Sequence, residues 1–345
     1  MKMKRNSHYK KSRRASFDFL SNLPKKYRNR KKYQRNNPAL GQPIRRTKAR
    51  RQQFPLRLFF LVVFVISVIG MAGTGIYSLW QNAKAKKTSK ELQNMREEAE
   101  ISVQYEMQFD AQGFPQAGAT LVFADLFETA ETGTKSSQAP EILPKYQSLY
   151  ETNSDMIGWL SIEDTLIDYP VMQTMEDECY YLDLDFYKEP NKNGCLILDT
   201  DSVAGTGTKA CGYANGTAPS TNLIIHGHTM KSGEMFGKLT LYEDEEYGKQ
   251  HNIIHFDSLY EEREYELISV FYSQVYYESD MVFKYYKFFQ ADTQEEFDDW
   301  YENIKTMSLY DTGVSAQLGD EFITLSCCSY QVEDGRFVVV GKRVK

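Results

Sequence analysis

The apolar pattern of this chain changes character three times. Residues 1–57 are rich in Lys, Arg, Asn and Gln, poor in apolar residues and without a period. The stretch LFFLVVFVISVIGMAGTGIYSLW, Leu58 to Trp80, then runs for 23 residues without a charge. At 1.5 Å of rise per residue, a helix of that length crosses a hydrocarbon core of about 30 Å. Thr88-Ser89-Lys90-Glu91 has the capping-box form and KELQNMREEAEISVQYEM continues with helix formers, so a short spacer helix is predicted beyond the span. Residues 109–139 are punctuated by Gly, Pro, Ser and Thr, with one brief apolar patch at Leu121 to Phe127, and read as a linker.

From Pro140 the pattern becomes that of a folded domain. PEILPKYQSLYETNSD reads as an opening helix, followed by short β-branched and aromatic runs between turn residues. Eight strands are predicted: 158–162, 167–173, 194–199, 222–228, 253–258, 264–276, 322–328 and 336–344. Two helical interruptions break them, EMFGKLTLY after the fourth strand and TQEEFDDWYENIKTM (293–307) between the sixth and seventh. In the second, Phe297, Trp300, Tyr301 and Ile304 fall at helical spacing, as an amphipathic helix requires. Eight short strands in one domain predict a mainly β fold, either a barrel or a sandwich.

Charge divides the chain in the same places. Residues 1–57 carry 20 of the 41 Lys and Arg and one of the 47 acids, so a head near +19 precedes a remainder near −25. Basic residues flank membrane spans on the cytoplasmic side. The expected organisation is therefore a basic cytoplasmic tail (1–57), a transmembrane helix (58–80), an extracellular stalk and linker (81–139) and a folded domain (140–345). Ala83-Lys84-Ala85 offers a signal-peptidase form, but the apolar span exceeds an ordinary h-region and the basic head is too long for a signal peptide. A basic tract beside a membrane already has anionic headgroups to meet, which leaves nucleic acid as the weaker partner for it.

Five cysteines, Cys179, Cys195, Cys211, Cys327 and Cys328, follow the span, an odd number with no C-x-x-C pair. An unpaired thiol outside the cell calls for a chemical reason. Four histidines follow the span as well, His226, His228, His251 and His255. His226-Gly227-His228 ends the fourth strand, where alternation puts both rings on one face unless the glycine turns the chain between them. A metal site there lacks an evident carboxylate or third histidine at ligand spacing, and no cofactor is called for. Asn215-Gly216-Thr217 in the loop Thr206 to Asn222 is a bare glycosylation match. A cysteine and a histidine at the ends of apolar strands form the minimum set for thiol nucleophilic catalysis. Arg336 follows Cys328 by eight residues across a turn at Glu333-Asp334-Gly335, so antiparallel pairing returns its guanidinium to the cysteine, where it can stabilise an oxyanion. Taken alone, a surface ion pair with Glu333 or Asp334 is the plainer reading of that arginine.

Several stretches together resemble the class B sortases. NLIIHGHTMKSGEMFG (Asn222 to Gly237) resembles their histidine motif, TLSCC (Thr324 to Cys328) the TLxTC cysteine motif of sortases generally, and GRFVVVGKRV the arginine strand that follows it. GWLSIEDTLIDYPVMQ resembles the opening strands, the helix at 293–307 sits where class B members carry an extra one, and the likeness spans about residues 140 to 345. The resemblance implies a closed eight-stranded sortase-type β-barrel with an N-terminal helix and a helix inserted between strands six and seven. It implies a membrane-anchored cysteine transpeptidase that cleaves the C-terminal sorting signal of secreted proteins. The product would be passed through a thioacyl enzyme to a peptidoglycan-precursor amine or a pilin lysine. Residue by residue it implies Cys328 as nucleophile, with Cys327 in place of the usual threonine, His228 as acid and base, Arg336 as oxyanion donor, and His226 as a wall residue where tyrosine is commoner. Other extracellular Cys/His peptidases, L,D-type transpeptidases and a non-catalytic peptide-binding surface protein are the competing readings.

Overall fold

The computed structural model describes residues 56–108, 140–214 and 216–345. Residues 1–55 of the basic tail, the linker 109–139 with its apolar patch, and Asn215 of the glycosylation match lie outside the described residues.

Helix α1 runs unbroken over Leu56–Gln108, 53 residues, and is long and apolar enough to cross a membrane by length and composition. The capping-box sequence at Thr88 lies inside it and starts nothing. The Ala and Lys residues ahead of Thr88 are themselves good helix formers and carry the helix straight through. Nor does the part beyond the apolar span stand free as a spacer. Leu92 is buried among Tyr146, Leu149, Trp159 and Phe186, and Gln93 Nε2 donates to the Asp168 carbonyl at 2.9 Å. Arg96 donates to Asp168 Oδ1 at 2.8 Å while its guanidinium lies 4.7 Å from the centre of the Trp159 ring.

Helix α2 (Pro144–Thr152) opens the domain with Pro144 in its first turn, where a missing N–H costs nothing. All eight predicted strands form: β1 Met156–Ser161, β2 Asp168–Met172, β3 Leu196–Leu198, β4 Asn222–Gly227, β5 Ile253–Ser258, β6 Glu264–Gln274, β7 Phe322–Cys328 and β8 Gly335–Arg343. They close a barrel in the order β1-β2-β3-β4-β7-β8-β6-β5. Two neighbouring pairs are parallel, β2 with β3 and β4 with β7. A parallel pair needs a long crossover, and between β4 and β7 it contains β5, β6 and two helices, α3 (Glu245–Gln250) and α4 (Gln294–Met307). The segment EMFGKLTLY yields only a 3-10 turn, Leu239–Glu243, just ahead of α3.

Helix α4 begins as its sequence requires. The Thr293 side chain accepts from Glu296 N–H and the Glu296 carboxylate reaches back to the Thr293 N–H, closing a capping box. Its buried face, Phe297, Trp300 and Ile304, packs on Ile268, Phe271, Phe322, Val338 and Val340, and Phe288 stacks on Trp300 at 4.4 Å. The intervening residues of β8, Phe337 and Val339, point into the barrel with Leu325, Ile323 and Cys327. β8 is thus covered on both faces, which is why its sequence is a nearly continuous apolar run rather than an alternation.

Candidate active site

Two ladders bring distant residues to one end of the barrel. β4 runs parallel to β7 with Gly227 opposite Cys327, so His228, the next residue, leaves the ladder beside Cys328. β8 runs antiparallel to β7 with Arg336 directly opposite Cys328. The histidine, a hundred residues upstream of the cysteine, and the arginine, eight residues beyond it, thereby share with it the end of three adjacent strands.

Alternation along β7 separates the two thiols. Cys327 is 2% exposed and belongs to the barrel core, whereas Cys328 is exposed. Burial pushes the Cys327 thiol up to about 11, which keeps it protonated and poorly nucleophilic at neutral pH. All five cysteines are free thiols.

The His228 ring is held from outside the strand. Its Nε2 lies 2.8 Å from the Leu182 carbonyl oxygen, an atom that only accepts, so Nε2 carries the hydrogen and Nδ1 is left for proton exchange. The Phe236 N–H donates to the His228 carbonyl at 3.0 Å. Next to it, Thr229 donates its hydroxyl to the Cys328 carbonyl at 2.6 Å. Arg336 uses Nη1 alone on its own turn, donating to the carbonyls of Gly335 at 3.0 Å and Asp334 at 3.2 Å. Among the described residues no carboxylate forms an ion pair with it, in contrast to the surface pairing its sequence surroundings suggested. The Glu333-Asp334-Gly335 turn is present, with Asp334 at φ +53°.

His226 and His228 are anchored to different groups. His226 Nε2 meets Asp199 Oδ2 at 3.2 Å, and Glu178, Asp199 and His226 each present one ligand atom within 4.8 Å of the other two, a group of the kind that can hold a metal ion. The fold supplies the carboxylates that sequence spacing did not. Burial and then the neighbouring Asp199 charge push the Glu178 carboxyl up. Asp199, although burial opposes it, is held below its ordinary value chiefly by the hydrogen bond from His226. His251 and His255 sit apart from the thiol and meet Glu163, His251 through that residue's carbonyl at 3.1 Å and His255 at 4.0 Å from its carboxylate.

Gly227 explains the spacing of the two histidines. A Cβ there would stand 2.5 Å from Phe236 and 2.6 Å from Leu196, inside any tolerable contact. Gly227→Ala is expected to cost about 1–3 kcal/mol by overpacking and to lower turnover by displacing His228. Thermal unfolding measured beside peptide turnover checks this, and an unchanged melting temperature with full activity would show that the barrel mouth has room to spare.

Sequence reasoning missed the Leu182 carbonyl, a backbone atom in a loop, and passed over Thr229 although it lies within the histidine stretch.

No protein-family model matches the chain. Sortase B of Listeria monocytogenes is 32% identical over 207 residues, covering 59% of this chain and 76% of that protein. Sortase B of Staphylococcus aureus is 25% identical over 215 residues, covering 61% and 79%. The crystal structure of a Bacillus anthracis protein similar to sortase B aligns with a TM-score of 0.50 at 28% identity, covering 64% of this chain and 92% of that one. An exposed thiol at the rim of a closed barrel, on a chain so related, defines a cysteine transpeptidase of the sortase type. Within that class, the chain belongs to the sortase B family.

Proposed function

We propose that Cys328 is the nucleophile, His228 the general acid and base, and Arg336 the oxyanion donor, in a transpeptidase that joins secreted proteins to an amine on the cell surface. The observation that carries this reading is the strand register that sets Cys328 directly opposite Arg336 and Cys327 opposite Gly227, the residue before His228. The Cys328 thiolate attacks a backbone carbonyl of the sorting signal, the Thr carbonyl in a Thr-Gly type of junction. The electron pair of the C=O moves onto oxygen, and the Arg336 guanidinium donates to that oxyanion. Collapse expels the C-terminal fragment as an amine, which takes its proton from His228. The thioester that remains is attacked by a second amine, whose proton returns to His228, and the Cys328 thiolate leaves.

The apolar span 58–80 anchors the enzyme with its basic tail inside and its barrel outside, where an exported protein and a lipid-linked precursor are both within reach. The acceptor is a peptidoglycan-precursor amine or a pilin lysine.

Full-length protein in detergent, kept reduced and incubated with LPxTG-like and NPxTN-like peptides, is expected to carry an acyl adduct on Cys328 with one of them, located by peptide mass spectrometry. An adduct on Cys327, or none with any peptide, would sink the assignment.

A further inference from the structure

The β4–β7 ladder stops at Gly227 opposite Cys327, one residue short of the pair whose spacing matters. At that point the chain leaves β4 for a loop closed by a Thr229–Met235 bridge and by the Phe236 N–H on the His228 carbonyl. Main-chain hydrogen bonds therefore no longer fix His228 against Cys328. The Thr229 hydroxyl occupies the vacated rung. It donates to the Cys328 carbonyl at 2.6 Å, a short O–H···O bond. One hydroxyl thus ties the residue after the histidine to the carbonyl of the cysteine. From the opposite side, the Leu182 carbonyl holds the imidazole at Nε2, so ring and backbone are fixed independently.

We propose that Thr229 is a positioning residue of the transpeptidase, its hydroxyl standing in for the missing β4–β7 rung and setting the His228 to Cys328 spacing. The proposal rests on the reading of Cys328 and His228 as the reacting pair. In this role Thr229 acts through where it holds the histidine. Loss of the bond lets the two strand ends part without emptying the core. A displacement of about 1 Å in such a pair costs on the order of 10²-fold in rate.

The test measures kcat and KM for peptide transpeptidation by full-length protein with Thr229→Val, which keeps the shape and removes the hydroxyl, and Thr229→Ser, which keeps the hydroxyl. Thr229→Val is expected to lower kcat about 10- to 100-fold with KM within about twofold of wild type, and Thr229→Ser to recover most of the loss. A kcat for Thr229→Val equal to wild type overturns the proposal. So does a Thr229→Ser protein as slow as Thr229→Val, since the hydroxyl would then not be what matters. Should Thr229→Val fail to fold, Thr229→Cys, of similar size but a weak donor, is read by the same criteria. Cys328→Ala and His228→Ala in the same assay separate the two levels of inference. If either remains active, the underlying reading fails. If both are inactive and Thr229→Val is not impaired, only the role of Thr229 fails.

Discussion

Cys328→Ala is expected to abolish transpeptidation, a loss on the order of 10⁴- to 10⁶-fold, while Cys327→Ala keeps activity near that of the parent. The two thiols are adjacent in sequence and opposite in environment. Cys328 ends β7 on the exposed face, opposite Arg336. Cys327 points into the barrel, where burial holds its thiol at about 11 and apolar neighbours close off any approach. Its removal leaves a small cavity and costs about 1–2 kcal/mol of stability. Steady-state turnover with acyl-adduct mapping in each variant checks both halves. Activity that follows Cys327 instead would mean that β7 slips by one residue in solution, since a one-residue slip exchanges the faces of a strand.

The second large effect belongs to Arg336. Arg336→Ala is expected to lower kcat about 10²- to 10³-fold with little change in KM, the loss typical of removing one oxyanion donor. Arg336→Lys should restore only a minor part. In the structure Nη1 is committed to the carbonyls of Gly335 and Asp334, which leaves the remaining N–H groups of the planar fork for the oxyanion. A lysine ammonium supplies charge without that division of labour. Pre-steady-state acylation with a sorting peptide is the direct measurement, and undiminished acylation by the alanine variant would remove Arg336 from the mechanism.

Much of this was legible in the chain itself because the barrel is built from local signals. Runs such as NLIIHG and FITLSCC are β-branched and apolar between turn residues, and α4 announces itself through Thr293, Glu296 and a helical stripe of aromatics. The ring order is another matter. The parallel pairing of β4 with β7 spans nearly a hundred residues of crossover, and no local pattern encodes it; the family resemblance supplied it. Likewise, Asp199 reaches His226 through the pairing of β3 with β4 and Glu178 through the chain ahead of β3, neither of which a local pattern encodes, and the Leu182 carbonyl has no side-chain signature at all. The capping-box sequence at Thr88 misled for a physical reason. A cap acts only where the preceding chain is extended, and here that chain is already helical.

The crossover also governs when the barrel mouth is assembled. β7 and β8 follow β4 and β6, the strands they join, and between them they bring Cys328 and Arg336. While a ribosome is still adding these residues, the emerging polypeptide has His228 but neither Cys328 nor Arg336, and the edges of β4 and β6 lie open to whatever unpaired strand they meet. The barrel mouth that holds Cys328, Arg336 and His228 therefore assembles in the same step that removes the exposed edges.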